Sequence, residues 1–172
     1  MNLWRMATHE MGHQGGTRAR RRTRRSWLLA VLAGLSAGCG SSTIEPDPAV
    51  APFVGTWDAT AFTVTSDTDP SIVIDVLVEI GPFYISVEPS GQYTATLESA
   101  FQPIIEIGQL TVIGGTTLRL DPSIPADAPT ATSLFVFTAD DYVVLDGPTE
   151  FDFNGDFVAD EPAQAHIELQ RR

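Results

Sequence analysis

The amino-acid sequence predicts an all-β domain, either a closed antiparallel up-and-down barrel of about eight to ten strands or a two-sheet sandwich. From Phe53 onward, strand-favouring runs recur every ten to fifteen residues and are separated by Gly, Pro, Asp and Ser. No window shows the sustained apolar period of 3.6 residues that marks an amphipathic helix. So many short strands would leave exposed edges unless the sheet closes on itself or packs on a second sheet.

Ten strands follow from these runs. They lie near residues 54–65, 72–80, 83–88, 92–98, 104–113, 116–120, 133–138, 142–146, 149–153 and 164–170. Alternation is strictest in the second strand, where one face carries Ile72, Ile74, Val76, Val78 and Ile80. The fourth strand places Tyr93, Ala95 and Leu97 on one face. Hairpin turns are predicted at Pro89-Ser-Gly91 and at Gly114-Gly115, the second as a two-residue loop because glycine accepts positive φ.

Charge is divided unevenly along the chain. All ten basic residues are arginines and seven of them precede Cys39, whereas Glu10 is the one acid of the 22 that does so. The chain from Cys39 onward therefore carries 21 acids against three arginines, a formal net charge of −18. A domain this acidic is repelled by phosphate backbones and by anionic lipid surfaces, which excludes nucleic acid as a partner.

Residues 1–38 have the three parts of a secretory signal: arginines at 18–25, an apolar run at 27–35, and small residues before Cys39. The nine-residue run is too short to span a bilayer, which takes about 20 helical residues. Residues 35–39, Leu-Ser-Ala-Gly-Cys, resemble the lipobox of bacterial lipoproteins, which implies cleavage before Cys39 and its diacylation. An ordinary signal with an incidental cysteine is the alternative. A lone cysteine lacks an internal disulfide partner, which favours lipidation.

Residues 39–52 contain three prolines and have neither helical nor strand periodicity, which predicts a flexible tether. Residue 40 is Gly and not the Asp that resembles an inner-membrane retention signal in enterobacterial lipoproteins. That resemblance implies a lipid anchor in the periplasmic leaflet of the outer membrane. Residues 53–172 are expected to form a single domain.

The Gly-x-Trp at Gly55-Thr-Trp57, followed by a meander of strands with glycine-centred turns, is similar to the lipocalin and lipocalin-like families. The tail from Phe151 to Arg172 resembles that of small lipocalin-like lipoproteins of high-GC bacteria. The resemblance implies a barrel with Trp57 plugging one end and a small apolar ligand inside. The candidate ligand-binding residues are Trp57, Phe62, Tyr93, Phe135 and Phe137. The alternative for Trp57 is an ordinary core residue.

Enzyme chemistry has few candidate residues. His166 is the only histidine after Cys39, and the chain contains no lysine, so imidazole and amine catalysis have at most one participant. His166 falls on the polar face of the last strand and is expected to be solvated. A carboxylate pair such as Glu79 and Glu98 could act on a glycoside, but sequence spacing does not show that the two converge. We therefore expect no enzyme and no catalytic residues.

One acidic segment resembles the calcium loops of the EF-hand and related types. Asp152, Asn154, Asp156 and Asp160 supply oxygen ligands at relative positions one, three, five and nine. Calcium is thus the one candidate cofactor. The alternative is a surface turn on Asn154-Gly155 with solvated aspartates.

Three functional classes remain, and an enzyme is the least favoured of them. The first is a membrane-tethered barrel that binds a small apolar molecule, which requires small inward residues around an unfilled centre, as Ala59, Ala61 and Ala95 hint. The second is a structural or interaction lipoprotein whose interior is filled by Trp57 and several phenylalanines. The internal void volume separates the first two. The sequence identifies no protein partner.

Overall fold

The computed structural model describes residues 47–156 and 158–172, so the predicted signal, lipobox and Cys39 lie outside the described residues. The described chain contains nine strands and one short α-helix. The strands are β1 (Gly55–Ser66), β2 (Val73–Asp75), β3 (Phe83–Val87), β4 (Gln92–Leu97), β5 (Ile104–Ile113), β6 (Thr117–Ile124), β7 (Ala131–Ala139), β8 (Tyr142–Phe151) and β9 (Glu161–Arg171). Helix α1 spans Val76–Glu79, and a 3-10 turn at Ala51–Phe53 precedes β1.

All strand pairs are antiparallel, and eight of the strands close into a barrel. The order runs β1-β3-β4-β5-β6-β7-β8-β9, and β9 pairs back onto β1 from Trp57↔Arg171 to Ser66↔Ala163. Strand β2 pairs with the second half of β1, beyond the stretch that pairs with β3. The all-β prediction is confirmed, and of its two forms the structure has the barrel, which leaves no open edge among the eight strands.

In an up-and-down barrel, successive connections between strands lie at opposite ends of the barrel, which we call the near end and the far end. The near end holds residues 47–54, the turns 88–91, 114–116 and 140–141, and the C-terminus. The far end holds residues 67–80, with β2 and α1, and the loops 98–103, 125–130 and 152–160.

Inward positions follow the alternation, with one interruption in β1. A register shift between Ala59 and Ala61 forms a bulge. Trp57 faces the core before it, and Phe62 and Val64 face the core after it. Ala59 packs against the core, whereas Ala61 is outside the core cluster. The expected inward position of Ala61 is therefore wrong, because one extra residue reverses the side-chain phase.

The predicted strand at 72–80 is also wrong over most of its length. It is the three-residue β2 followed by α1, because the Asp75 side chain accepts hydrogen bonds from the backbone amides of Leu77 (3.0 Å) and Val78 (3.3 Å) and so caps a helix. Val76 is fully buried and Val78 is 76% exposed, so the expected common face does not exist.

The predicted strands 142–146 and 149–153 are one strand, β8. Its pairing with β9 continues through Pro148↔Gln164, whereas its pairing with β7 ends at Asp146. Proline is tolerated in a strand where one edge needs no ladder hydrogen bond. The turn at Gly114 and Gly115 has the predicted positive φ, 61° and 78°, but Thr116 also lies outside the strands.

The predicted tether is too long at its C-terminal end. Residues 47–53 fold against the barrel: the Asp47 carbonyl accepts hydrogen bonds from the amides of Val50 (2.8 Å) and Ala51 (3.0 Å), and Val50 and Phe53 are buried. Val50 and Phe53 are apolar side chains in a proline-rich segment, and they are buried against the barrel at its near end. No helix in the described ranges, 47–156 and 158–172, is long and apolar enough to cross a bilayer.

Candidate functional site

Aromatic side chains close the barrel at its near end. The ring of Phe53 lies with its centroid 4.9 Å from that of Phe135 and 5.0 Å from that of Phe137. The Trp57 ring lies 6.1 Å from Phe137. These four side chains form the aromatic plug, which is carried by the 3-10 turn, β1 and β7. Edge-to-face and tilted ring pairs of this kind add stability beyond the area they bury.

Trp57 is the most deeply buried member of this plug, and its polar atom has a hydrogen-bond partner. Its indole Nε1 donates a 2.7 Å hydrogen bond to the Phe53 carbonyl, and the Arg171 guanidinium lies 4.2 Å from the ring centroid. Arg171 also donates to the carbonyls of Pro52 (2.6 Å) and Val54. One arginine therefore ties the 3-10 turn, β1 and β9 together at the near end.

The barrel interior below Trp57 is almost completely filled. It contains an apolar cavity with about 20 Å³ open to the centre of a water molecule. Its wall comes from inward side chains of six strands and from Phe53: Trp57, Phe83, Ile85, Val87, Leu110, Leu118, Leu120, Val143, Leu145, Ile167 and Leu169. Space of this size admits about one water, whereas small-molecule sites are typically about 300–1,000 Å³.

The structure separates the five residues predicted to contact a ligand. Of the five, Trp57 alone lines the cavity. Phe135 and Phe137 belong to the aromatic plug above it, and Phe62 packs edge-on against Phe83, with 5.4 Å between ring centroids. Tyr93 is hydrogen-bonded to an acid. Trp57, Phe135 and Phe137 thus lie together in the plug, whereas Phe62 and Tyr93 lie elsewhere in the core, and ligand binding by the five residues stays a prediction.

That acid is Glu106, which points from β5 into the interior. The Tyr93 hydroxyl donates a 2.6 Å hydrogen bond to Glu106 Oε1. Glu106 is 1% exposed, and it is the one buried acidic or basic side chain within residues 47–156 and 158–172. Burial raises the pKa of Glu106, and the hydrogen bond from Tyr93 opposes that rise. Burial also raises the pKa of the Tyr93 phenol, which stays protonated.

Neither Glu106 nor Arg171 was among the residues predicted to matter. The sequence does contain a signal for Glu106. It alternates with Ile104, Gly108 and Leu110 on the inward face of β5, so it is an acidic residue at a position where an apolar one is expected. Gly108 lets the Tyr93 ring lie against the strand, since a Cβ at residue 108 would be 2.8 Å from Tyr93 Cε1. Arg171 has no such sequence signal, because its contacts with Pro52, Val54 and Trp57 join residues more than 100 positions apart.

His166 lies on the polar face of β9, where it was predicted. Its Nδ1 is 2.7 Å from Asp146 Oδ1, and its Nε2 is 3.4 Å from Glu168 Oε1. Hydrogen bonding to Asp146 is the main reason why the pKa of His166 is raised. Tyr142 also donates to Glu168. The cluster lies on the outer wall of the barrel, where its partly exposed side chains form a surface network.

The other predicted acids lie at the far end. Glu79 in α1 and Glu98 after β4 are both exposed. In the acidic loop, Asp152 Oδ1 accepts from the amides of Gly155 (2.6 Å) and Asp156 (3.2 Å), and Asn154 Oδ1 accepts from Asp156 (2.8 Å). These are the hydrogen bonds of an Asx turn.

No group of three or more His, Cys, Asp or Glu side chains in the described part of the chain is arranged to hold a metal ion. Calcium binding by Asp152, Asn154, Asp156 and Asp160 stays a prediction. To bind calcium, Asp152 Oδ1 and Asn154 Oδ1 would have to give up at least some of the hydrogen bonds that they accept from backbone amides.

No family model matches the chain, and no curated protein matches it. Among solved structures, a redesigned β-barrel, b11L5F_LGL, is 16% identical with a TM-score of 0.46, covering 72% of this chain and 95% of that one. EF1p2_mFAP2b bound to DFHBI is 18% identical with a TM-score of 0.45, covering 72% and 97%. A de novo designed fluorescence-activating β-barrel is 14% identical with a TM-score of 0.42, covering 72% and 97%. The barrel assignment here rests on this chain's own strand pairing.

Proposed function

We propose that this protein is a non-enzymatic envelope lipoprotein, a filled β-barrel held at the periplasmic face of the outer membrane by lipid on Cys39, that acts through its surface. The observation that supports a surface role is that the barrel interior is almost filled. Eight strands close around apolar side chains, and the remaining cavity of about 20 Å³ has room for about one water. A barrel without internal room for a ligand exerts its function on its outside.

The lipid anchor is supported by the sequence around Cys39 and by the position of the folded part. Residues 47–53 are packed at the near end, so the preceding chain leaves the barrel there. The eight residues from Cys39 to Pro46 reach at most about 29 Å when fully extended. An anchor at Cys39 would therefore hold the near end close to the membrane.

Labelled-palmitate incorporation and membrane fractionation test the anchor. The wild-type protein should take up the label and sediment with the outer membrane, and Cys39→Ala should do neither. Gly40→Ala is the matched control and should behave as the wild type does. Label that persists in Cys39→Ala, or a wild-type protein without label, would refute the anchor.

A second candidate function is the binding of a small apolar ligand inside the barrel. It is favoured by the wholly apolar wall of the cavity and by the plug above it, since Phe53 sits on a three-residue turn, and Phe135 and Phe137 are only partly buried. Movement of that turn would enlarge the cavity towards the near end. Such an opening has to break the hydrogen bond from Trp57 Nε1 to the Phe53 carbonyl.

Titration with the neutral dye Nile red separates the two candidates. A filled barrel gives no saturable fluorescence increase with the wild-type protein. An interior ligand site gives saturable one-to-one binding, which Phe53→Ala strengthens because it removes the plug. Ile113→Ala, at an exposed position of β5 outside the plug and the cavity wall, is the control that should leave the titration unchanged.

A further inference from the structure

The far end exposes an unusual amount of apolar surface. Ten large apolar side chains are exposed in residues 47–156 and 158–172. Four of them lie in far-end segments outside the acidic loop, and two more lie where β5 begins and β6 ends, next to the far end. The six are Ile72, Val73, Val78, Phe101, Ile105 and Ile124, and together they are called the apolar tip. Phe101 is 99% exposed and Val78 76%, so nothing in the described chain covers them. The strand topology places all six at or next to one end of the barrel, and exposed apolar surface of this kind is used for interaction when it is contiguous.

The far-end segments around the apolar tip carry charge of a single sign. By sequence, the far-end segments 67–80, 98–103, 125–130 and 152–160 contain nine acidic residues and no basic one. Of the three arginines that follow Cys39, Arg171 lies at the near end. Arg119 in β6 is paired at 2.8 Å with Asp121, which also accepts a hydrogen bond from Thr130 of a far-end loop, and Arg172, paired with Asp58, acts electrostatically on Glu98. The far-end segments therefore carry a net negative charge that two arginines at their edge offset only in part.

This combination of apolar surface and negative charge selects the occupant. A second copy of the chain would bring the same negative end, and an anionic membrane would repel it. A partner with cationic side chains beside apolar ones satisfies both features, because the charges steer it towards the tip and the apolar contacts hold it there.

We propose that the far end docks a basic amphipathic segment of another envelope protein. The proposal rests on the proposed function, since an anchor at Cys39 holds the near end at the membrane and leaves the apolar tip pointing away from it. The partner segment lays its apolar face on Val78, Phe101 and their neighbours, and its lysines or arginines face the surrounding carboxylates.

The test uses the lipidated protein, solubilised in a neutral detergent and passed over an immobilised amphipathic helical peptide of leucine and lysine. A peptide with every lysine replaced by glutamate is the matched surface. The wild-type protein should bind the lysine peptide, more weakly as salt increases, and should not bind the glutamate peptide. The double variant Val78→Ser, Phe101→Ser should bind at least about tenfold more weakly, because it removes two exposed apolar contacts.

The control variant is Leu134→Ser, Val136→Ser, which changes two side chains of comparable exposure, 60% and 61%, on the barrel wall. It should bind the lysine peptide as the wild type does, and both double variants should keep the wild-type melting temperature. Absence of wild-type binding, equal loss in both double variants, or equal binding to both peptides would overturn the docking proposal.

Palmitate labelling of the same samples keeps the two proposals apart. If the protein is labelled but does not bind the lysine peptide, the docking site alone is refuted. If the wild-type protein is not labelled and still binds the peptide through the apolar tip, the anchor is refuted and the docking site stands.

Discussion

The Tyr93 hydroxyl donates a hydrogen bond of 2.6 Å to Glu106 Oε1 in the interior of a barrel whose other inward side chains are almost all apolar. The pair joins β4 to β5 across the barrel wall, where Tyr93 lies opposite Gly108 and Ala95 opposite Glu106. A buried acid of this kind destabilises the folded state when it ionises, so it couples folding to pH.

Glu106→Gln should reduce the pH dependence of stability. The folded-state pKa of Glu106 is raised by burial above its ordinary value of 4.5, so the folded state keeps the proton longer than the unfolded state does. This group's contribution is therefore greatest below pH 4.5 and falls as pH rises towards the raised pKa. Urea unfolding at a series of pH values should show the variant gaining on the wild type across that window. A constant difference at every pH would contradict the prediction.

Tyr93→Phe provides the complementary test, because it removes the one hydrogen-bond donor described for Glu106. Leaving a buried carboxyl without this donor should lower the free energy of unfolding by about 1–3 kcal/mol. Tyr84→Phe is the matched control, since Tyr84 lies on β3 and is only partly buried. If the two phenylalanine variants unfold at the same urea concentration, the buried hydrogen bond contributes nothing measurable.

Arg171→Ala should be much more damaging than Arg172→Ala. Arg171 packs on the Trp57 ring and donates to the carbonyls of Pro52 and Val54, so its loss should cost roughly 2 kcal/mol. Arg172 makes an exposed ion pair with Asp58, 2.6 Å from Nε to Oδ2, and its loss should change stability little. Thermal melts of both variants decide this. Equal effects would mean that the near end is not held by Arg171.

The pKa of His166 should fall when Asp146 is replaced. Hydrogen bonding to Asp146 is the main cause that raises this pKa above 6.5, so Asp146→Asn should return it towards 6.5. The stabilisation from the pair is complete below pH 6.5 and is lost as pH rises through the folded-state pKa. His166 is the sole histidine after Cys39, so its imidazole NMR signals need no assignment in a protein produced from residue 39 onward. The control Asp141→Asn should leave the pKa of His166 unchanged. If it lowers this pKa as much as Asp146→Asn does, the shift comes from the net charge of the protein and not from the hydrogen bond to Asp146.

The acidic loop provides a test of the calcium hypothesis. If calcium binds, its stabilisation reaches about 2.7 kcal/mol at a hundredfold excess over the dissociation constant, and a weak site needs millimolar calcium for this. Calcium should then raise the melting temperature more than magnesium at equal ionic strength, and Asp156→Asn should remove the difference. Equal shifts from both ions, unchanged in the variant, would identify an ordinary Asx turn on a screened acidic surface.

Patterns local in sequence were predicted well. The alternation of Tyr93, Ala95 and Leu97, the polar face around His166 and the paired glycines 114 and 115 each depend on neighbours within a few positions, and the structure has all three. The strand at 72–80 failed for an equally local reason, because the capping carboxylate of Asp75 outweighed the apolar alternation.

What the sequence by itself determined is the fold class, the charge asymmetry and the inward positions of regular strands such as β4 and β9, but not those of Ala61 or of residues 72–80. The tertiary structure decided the closure of β9 onto β1, the phase reversal at the β1 bulge and the filling of the interior. It also brought Arg171 onto Trp57 and gathered the apolar tip from four separate segments. The physical reason is that strand periodicity is encoded by adjacent residues, whereas register, cavity volume and surface clustering depend on contacts between residues far apart in the chain.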